Sequence, residues 1–415
     1  MTPQVLVSHP FGNPNAYQAA RGLHLKGCLS SFATCLYAPW GTAFRSDKLL
    51  PRANVDASGL REGMRIALAH SRILPQIARS SGMVDWVARA HDLRVARQLP
   101  HSAKTRNTNV IWGYEDFSQA SFERAKALGI KTIYDLPTVH HAEARLIYQQ
   151  ELESDPSLAP FLSPGLEPEH RRSRKETELG LADVVVCAST FVKNSLTKLG
   201  WPDFRLRVIP YGVAAPRMYA APKRKSHLLR LFYAGAIAPH KGIHHLFQAL
   251  SELPENAFHL TMAGQWAPGF QHWIERRFRV PYHYVGRLPG PRLNAEYRNA
   301  DIFVFPALRD GFGLVLTEAM AQGLPVIAST SCAAPDLIRD GVEGLIIPSS
   351  NPVRLREAIQ ILLDRPQLVP EMADAAYRLS RKLTWEKYHS EVLALSHEFA
   401  NSSAPASAVN HLVTK

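Results

Sequence analysis

The stretch "DIFVFPALRDGFGLVLTEAMAQGLPVIAST", Asp301 to Thr330, holds the patterns of three successive elements. "IFVF" is a run of bulky apolar residues of strand length, Leu314 to Met320 reads as the first turns of a helix, and "LPVIAST" is a second short apolar strand. Between the first strand and the helix, Gly311 and Gly313 free the backbone to turn sharply. Two buried strands joined through a helix are the unit of a parallel sheet with helices on its faces.

Working outward, the same alternation continues. "LRLFYAGAI", "FHLTMAGQW" and "YHYVGRL" precede the unit and "GLIIP" follows it, with helices expected from His244, Leu293, Leu314, Pro335 and Asn351. In the first half, "QVLVSHPFGNPNAYQAARGLHLKG" reads as strand, Gly/Pro/Asn turn and helix, while "NVIWGY", "KTIYDLP" and "DVVVCAS" are short apolar strands separated by helical stretches. The expected fold class is α/β, with two Rossmann-like parallel-sheet domains facing a central cleft. The boundaries expected are 1–212 for the first domain, 213–226 for a Pro/Lys-rich linker, 227–383 for the second domain, 384–400 for an amphipathic final helix and 401–415 for a polar tail. The Pro- and Ser-rich "ESDPSLAPFLSPGLEPEH" reads as a loop joining two helices within the first domain.

A chain of 415 residues has material for two cores. Its longest apolar runs fall short of the ~18 to 20 residues that span a bilayer. Cys28, Cys35, Cys187 and Cys332 show no pairing motif or zinc-ligand spacing, so they read as core residues in a reducing compartment, and a cytoplasmic location is expected. The formal charge of +12 favours an anionic partner. The excess is concentrated between Arg61 and Arg106, where eight arginines and one lysine face three acids. Within it, Met83, Val87, Ala90, Leu93 and Arg94 give a basic helix with an apolar side, read either as an ordinary surface helix or as a contact with an anionic membrane surface or a phosphorylated acceptor. No basic-aromatic module of a nucleic-acid binder is present, so nucleic acid is not an expected partner.

Ligands of such folds bind where strands end and helices begin. "YAGAIAPHKG" offers Gly235, where backbone can approach a ligand, and Lys241 near a helix start; an ammonium beside a helix N-terminus suits a diphosphate. Asp310 and Glu318 stand eight residues apart, which on a helix is about 12 Å along the axis. That is too far for a general acid and base acting on one bond. It suits two grips on one extended ligand, a sugar at one end and a ribose at the other, with the amides of the glycine turn on phosphate between them. His240 and His244 could share a helix face, yet no third metal ligand is evident, and no metal is expected.

These residues resemble the signature of retaining glycosyltransferases of the GT-B fold, GT4 type, "EGFGL…EAMA.G.PVIAS". The resemblance covers most of the chain: "LADVVVCASTFVKNSL", "RVIPYGV", "YVGRLPGPRLNAEYRNADIFVFPA" and "LTWEKYHSEVLAL" match the family's last N-domain strand and helix, interdomain strand, approach to the signature and crossover helix. It implies a hexosyltransferase moving a sugar from a nucleoside-diphosphate sugar to a hydroxyl acceptor without metal or other cofactor, in cell-surface polysaccharide or glycolipid synthesis. By position, it implies that Asp310 contacts the donor sugar, and that Gly311, Phe312, Gly313 and Leu314 serve sugar and diphosphate through backbone amides. It further implies Glu318 on the ribose, Lys241 on the diphosphate, Arg287 and Leu288 beside the base, Gly12 near the phosphates or acceptor, and Asp135 and His140 near the sugar's 6-hydroxyl. Two positions depart from the family: Asp310 is one methylene shorter than the usual Glu, and Ala236 stands where an Arg is frequent. The alternatives are a sugar phosphorylase or epimerase of the same fold, or a non-catalytic partner subunit.

Overall fold

The computed structural model describes residues 2–11, 13–35, 50–70, 80–163, 166–214 and 228–401. Gly12, most of the expected linker and the expected tail lie outside the described residues. The first domain is built on a seven-stranded sheet: β1 Val5–Ser8, β2 Leu29–Thr34, β3 Val55–Ala57, β4 Val110–Tyr114, β5 Lys131–Leu136, β6 Val184–Cys187 and β7 Leu206–Val208. The second is built on six: β8 Leu229–Ile237, β9 Phe258–Trp266, β10 Tyr282–Gly286, β11 Ile302–Phe305, β12 Val326–Ser329 and β13 Gly344–Ile347. Every pairing in both sheets is parallel. Helices cover both faces, which is why central strands such as β6 (VVVC) and β11 (IFVF) are apolar at every position and wholly buried. The architecture is the GT-B fold.

Strand order fixes where a ligand can sit. The orders are β3-β2-β1-β4-β5-β6-β7 and β10-β9-β8-β11-β12-β13, so the direction of winding reverses once in each sheet, between β1 and β4 and between β8 and β11. Loops leaving two neighbouring strands at a reversal diverge to opposite faces and open a crevice at the strands' carboxyl ends.

The domains meet along an extensive seam. Ser189 Oγ donates to the Gly311 carbonyl at 2.5 Å, and the Thr190 amide donates to Asp336 Oδ2 at 2.6 Å. The segment read from sequence as a loop within the first domain forms short helical turns over 156–162, and its Phe161 ring packs on Phe270 and Trp273 of the second domain at 5.2 and 6.3 Å. It therefore belongs to the seam. The last helix, Trp385–Asn401, returns to the first domain and lies against the helix Pro14–Leu25, where His389 Nε2 pairs with Gln18 Oε1 at 2.9 Å. The approach is close enough that a Cβ on Gly22 would stand 2.7 Å from His389 Cβ.

Candidate functional site

The reversal between β8 and β11 brings together two loops far apart in sequence. After β8 the chain makes a tight turn at Pro239–Lys241 before the helix Ile243–Ser251; after β11 it runs through Leu308 to Gly313 before the helix Leu314–Ala321. The amides of Leu308 and Arg309 donate to the His240 carbonyl at 3.1 and 3.3 Å, tying the loops. Lys241 Nζ then stands 2.5 Å from Asp310 Oδ2. The other carboxylate oxygen of Asp310 accepts from the Phe312 amide at 3.1 Å, and the Asp310 amide donates to the Ser331 carbonyl at 2.9 Å. Burial, with Lys241 and Arg309 beside it, pushes the His240 imidazole down to about 3.

Gly313 precedes the helix Leu314–Ala321 with φ 82°, a left-handed conformation that favours glycine, and no side chain caps that helix start. The Leu316 amide donates to the Gly313 carbonyl at 2.9 Å, and the positive end of the helix dipole is left for another partner. On the same helix, Glu318 Oε2 accepts from the Tyr297 hydroxyl at 3.2 Å, and burial raises its carboxyl above the usual range. A crevice of about 400 Å³ opens at the helix start, lined by Gly235, Ala236, Gly264, Gln265, Arg287, Leu288 and Val315. Gly235, Arg287 and Leu288 are thus gathered in one pocket. Tyr297 and Gly264 were missed by sequence reasoning. Gly264 carries a readable signal, since it pairs with Gly235 two residues before β9 and β8 end.

The first domain treats its candidates differently. Asp135 lies within β5 and is 1% exposed. Trp112 Nε1 donates to its Oδ2 at 3.2 Å and the Tyr211 hydroxyl to its Oδ1 at 3.4 Å, and burial raises its carboxyl from 3.8 to about 7. In this arrangement it is enclosed by aromatic groups beneath the cleft rather than open to a sugar. His140 is also buried: its Nδ1 accepts from the Ala142 amide at 3.2 Å as the cap of the helix His141–Ser154, and its Nε2 lies 2.9 Å from Glu176 Oε1. Phe312 does not face the crevice with its side chain, which is buried edge-to-face on Tyr211 with centroids 5.1 Å apart. Gly311 abuts the other domain, because a Cβ there would stand 1.7 Å from the Pro137 carbonyl oxygen. The structure also supplies what the histidine reading lacked. Glu151, from the first domain, lies within hydrogen-bonding distance of His244 and His245, while His240 takes no part.

Residues 220–379 match the family model for glycosyl transferases group 1. The C-terminal domain belongs to that family. The chain is 27% identical over 206 residues to an uncharacterized glycosyltransferase of Methanocaldococcus jannaschii, covering 50% of this chain and 57% of that protein. It is 27% identical over 279 residues to D-inositol 3-phosphate glycosyltransferase of Xylanimonas cellulosilytica, covering 61% and 64%. It therefore spans between half and two thirds of the length of these relatives. The crystal structure of Anabaena HepE in complex with UDP matches the fold with a TM-score of 0.64 at 16% identity, covering 95% of this chain and 100% of that one.

Proposed function

We propose that this protein transfers a sugar from a nucleoside-diphosphate sugar to a hydroxyl acceptor, with retention of configuration and without a metal ion. The observation that carries the reading is the Lys241–Asp310 contact at the uncapped start of the helix Leu314–Ala321, with Glu318 farther along the same helix. The pocket of Gly235, Arg287 and Leu288 takes the nucleoside, Glu318 the ribose hydroxyls, and Lys241 with the helix N-terminus the diphosphate. Asp310 then exchanges its bond to Lys241 for hydroxyls of the donor sugar. As the glycosidic C–O bond breaks, negative charge grows on the departing diphosphate, where the ammonium and the fixed amide dipoles stabilise it. The acceptor hydroxyl attacks on the same face and its proton passes to the diphosphate oxygen, so no separate protein base is required. UDP and UDP-glucose bound to Anabaena HepE support this donor class.

An anionic acceptor fits the other wall. A cavity of about 220 Å³ is lined by Arg145, Arg172, Lys175 and Arg309 with one acid, Glu167, which pairs with Lys175, and the Arg309 guanidinium lies 5.2 Å over the Tyr148 ring. Among the described residues no helix is long and apolar enough to cross a membrane. Contact with an anionic membrane surface from the cytoplasmic side, in polysaccharide or glycolipid synthesis, is supported by the helix Leu60–His70. Its Leu60 is 80% exposed beside exposed Met64, and Arg61 lies 4.5 Å over the Trp86 ring.

The test is calorimetry with UDP, GDP and ADP and their sugars, followed by product analysis with hydroxyl acceptors. We expect one nucleotide class to bind at one site per chain and the product to keep the donor's anomeric configuration. No binding by any nucleotide overturns the reading. Flotation on phosphatidylglycerol vesicles tests the membrane contact, and a protein that stays at the bottom of the gradient removes it.

A further inference from the structure

Two helices from different domains, His141–Ser154 and Ile243–Ser251, bring three ligating side chains to one point. Glu151 Oε2 lies 2.8 Å from His244 Nε2 and 3.0 Å from His245 Nε2, and all three atoms lie within 4.8 Å of one another. Glu151 and His244 are buried and His245 is nearly so. Two imidazoles and one carboxylate are a donor set for a tetrahedral ion with an open fourth position. With metal–ligand bonds of about 2.0 to 2.2 Å, neighbouring ligand atoms in such a site stand about 3.3 Å apart. The two spacings from Glu151 reach that value with shifts of a few tenths of an ångström.

Further features set this cluster apart from an ordinary ion pair. The second oxygen of Glu151 accepts from the Ser350 hydroxyl, which fixes the carboxylate's orientation as outer partners do in metal sites. A cavity of about 470 Å³ adjoins the cluster, lined in part by Asp155, Gln248 and Arg277, and gives both an approach path and room for a fourth ligand.

We propose that Glu151, His244 and His245 bind one divalent transition-metal ion of the zinc class between the two domains. The ion is a staple rather than a catalyst, since none of its ligands lines the nucleotide crevice. His244 lies on the helix that begins directly after Lys241 and Gly242, so occupancy ties the position of the diphosphate loop to the first domain. A second cluster, His140, His141 and Glu176, is confined to the first domain and has Glu176 37% exposed, so it bridges nothing and serves as an internal control.

The experiment uses the full chain, stripped with chelator and titrated with zinc in a calorimeter and with cobalt in a spectrophotometer. We expect a tight equivalent of metal with the visible d–d bands of tetrahedral cobalt. Glu151→Gln and His245→Asn should each weaken that equivalent by more than about a hundredfold. His141→Asn should leave it intact, and circular dichroism establishes that each variant is folded. X-ray absorption of the zinc-loaded wild type should show nitrogen and oxygen ligands with the scattering of two imidazoles, a readout independent of any variant. A wild type that binds no zinc, a spectrum without imidazole, or an equivalent retained in folded Glu151→Gln overturns the proposal. None of these outcomes depends on sugar transfer.

Discussion

Replacing Gly311 by alanine tests whether the donor loop works only when held against the opposite domain. Gly311 does not have a left-handed φ, so the substitution introduces no backbone strain and acts through space alone. Its new Cβ would stand 1.7 Å from the Pro137 carbonyl oxygen, 2.6 Å from the Pro137 carbonyl carbon and 2.7 Å from Thr138 Cα, all backbone atoms at the end of β5. Real Cβ atoms essentially never approach closer than 3.0 Å, so from 1.7 Å the surfaces must part by at least 1.3 Å. The loop cannot easily absorb this, since it is pinned on one side by Asp310 to Ser331 and on the other by Phe312 to Ala333. The displacement therefore passes to the seam, and the Ser189 bond to the Gly311 carbonyl is lost. A misplacement of about 1 Å between reacting groups costs on the order of a hundredfold in rate, or about 2.7 kcal/mol. The crevice of Gly235, Arg287 and Leu288 lies in one domain and should be spared. We expect kcat for transfer to fall about a hundredfold with nucleoside-diphosphate affinity, measured by calorimetry, within about threefold of wild type. A variant that keeps wild-type kcat, or that loses binding and turnover equally, refutes the reasoning.

Lys241→Met removes the charge facing the diphosphate, and kcat should drop by about 10² to 10³, with nucleoside binding by calorimetry weakened less than nucleoside-diphosphate binding. Glu318→Gln should weaken nucleoside-diphosphate binding by about 1.5 to 3 kcal/mol, the range for hydrogen bonds to a charged group; because burial raises the Glu318 carboxyl, wild-type affinity should also decline on acidification sooner than an ordinary glutamate would dictate. Asp135, raised from 3.8 to about 7, favours the fold most when protonated, so its contribution is full below pH 3.8 and is lost as pH rises through about 7. Thermal melts of Asp135→Asn should accordingly gain on wild type between pH 5 and 8, by on the order of a few kcal/mol. Phe312→Ala empties a buried contact with Tyr211 and should cost about 3 to 5 kcal/mol in urea unfolding.

The second domain was readable because its chemistry is local. Asp310, the glycine turn and Glu318 lie within one strand-turn-helix unit, and β11 to β13 are short apolar runs bounded by turn residues. In the first domain β2 escaped notice: "LSSFAT" is half hydroxyl-bearing and shows no apolar run, yet it is wholly buried. Its hydroxyls are satisfied at a distance in sequence, Ser30 Oγ by Thr108 and Thr34 Oγ1 by the Pro10 carbonyl. The surroundings of Asp135 were hidden for a related reason. A carboxylate at the end of a strand looks like a cleft residue until Trp112 and Tyr211, from β4 and from beyond β7, close over it. The partners of His244 and His245 were equally out of reach, since Glu151 is brought to them only when the two domains dock.

The returning helix Trp385–Asn401 has a consequence for the order in which this molecule is made. It fills a groove of the first domain with Tyr388, Val392 and Leu395, all buried, yet it is synthesised only after the whole second domain. A nascent first domain therefore emerges from the ribosome with its Pro14–Leu25 helix uncovered on the Gly22 side, and it stays incomplete until the second domain has been made. Domain-by-domain folding during synthesis is closed to this chain in its simplest form. The first half must wait, with apolar surface open to chaperones, for a piece of itself made only after the second domain.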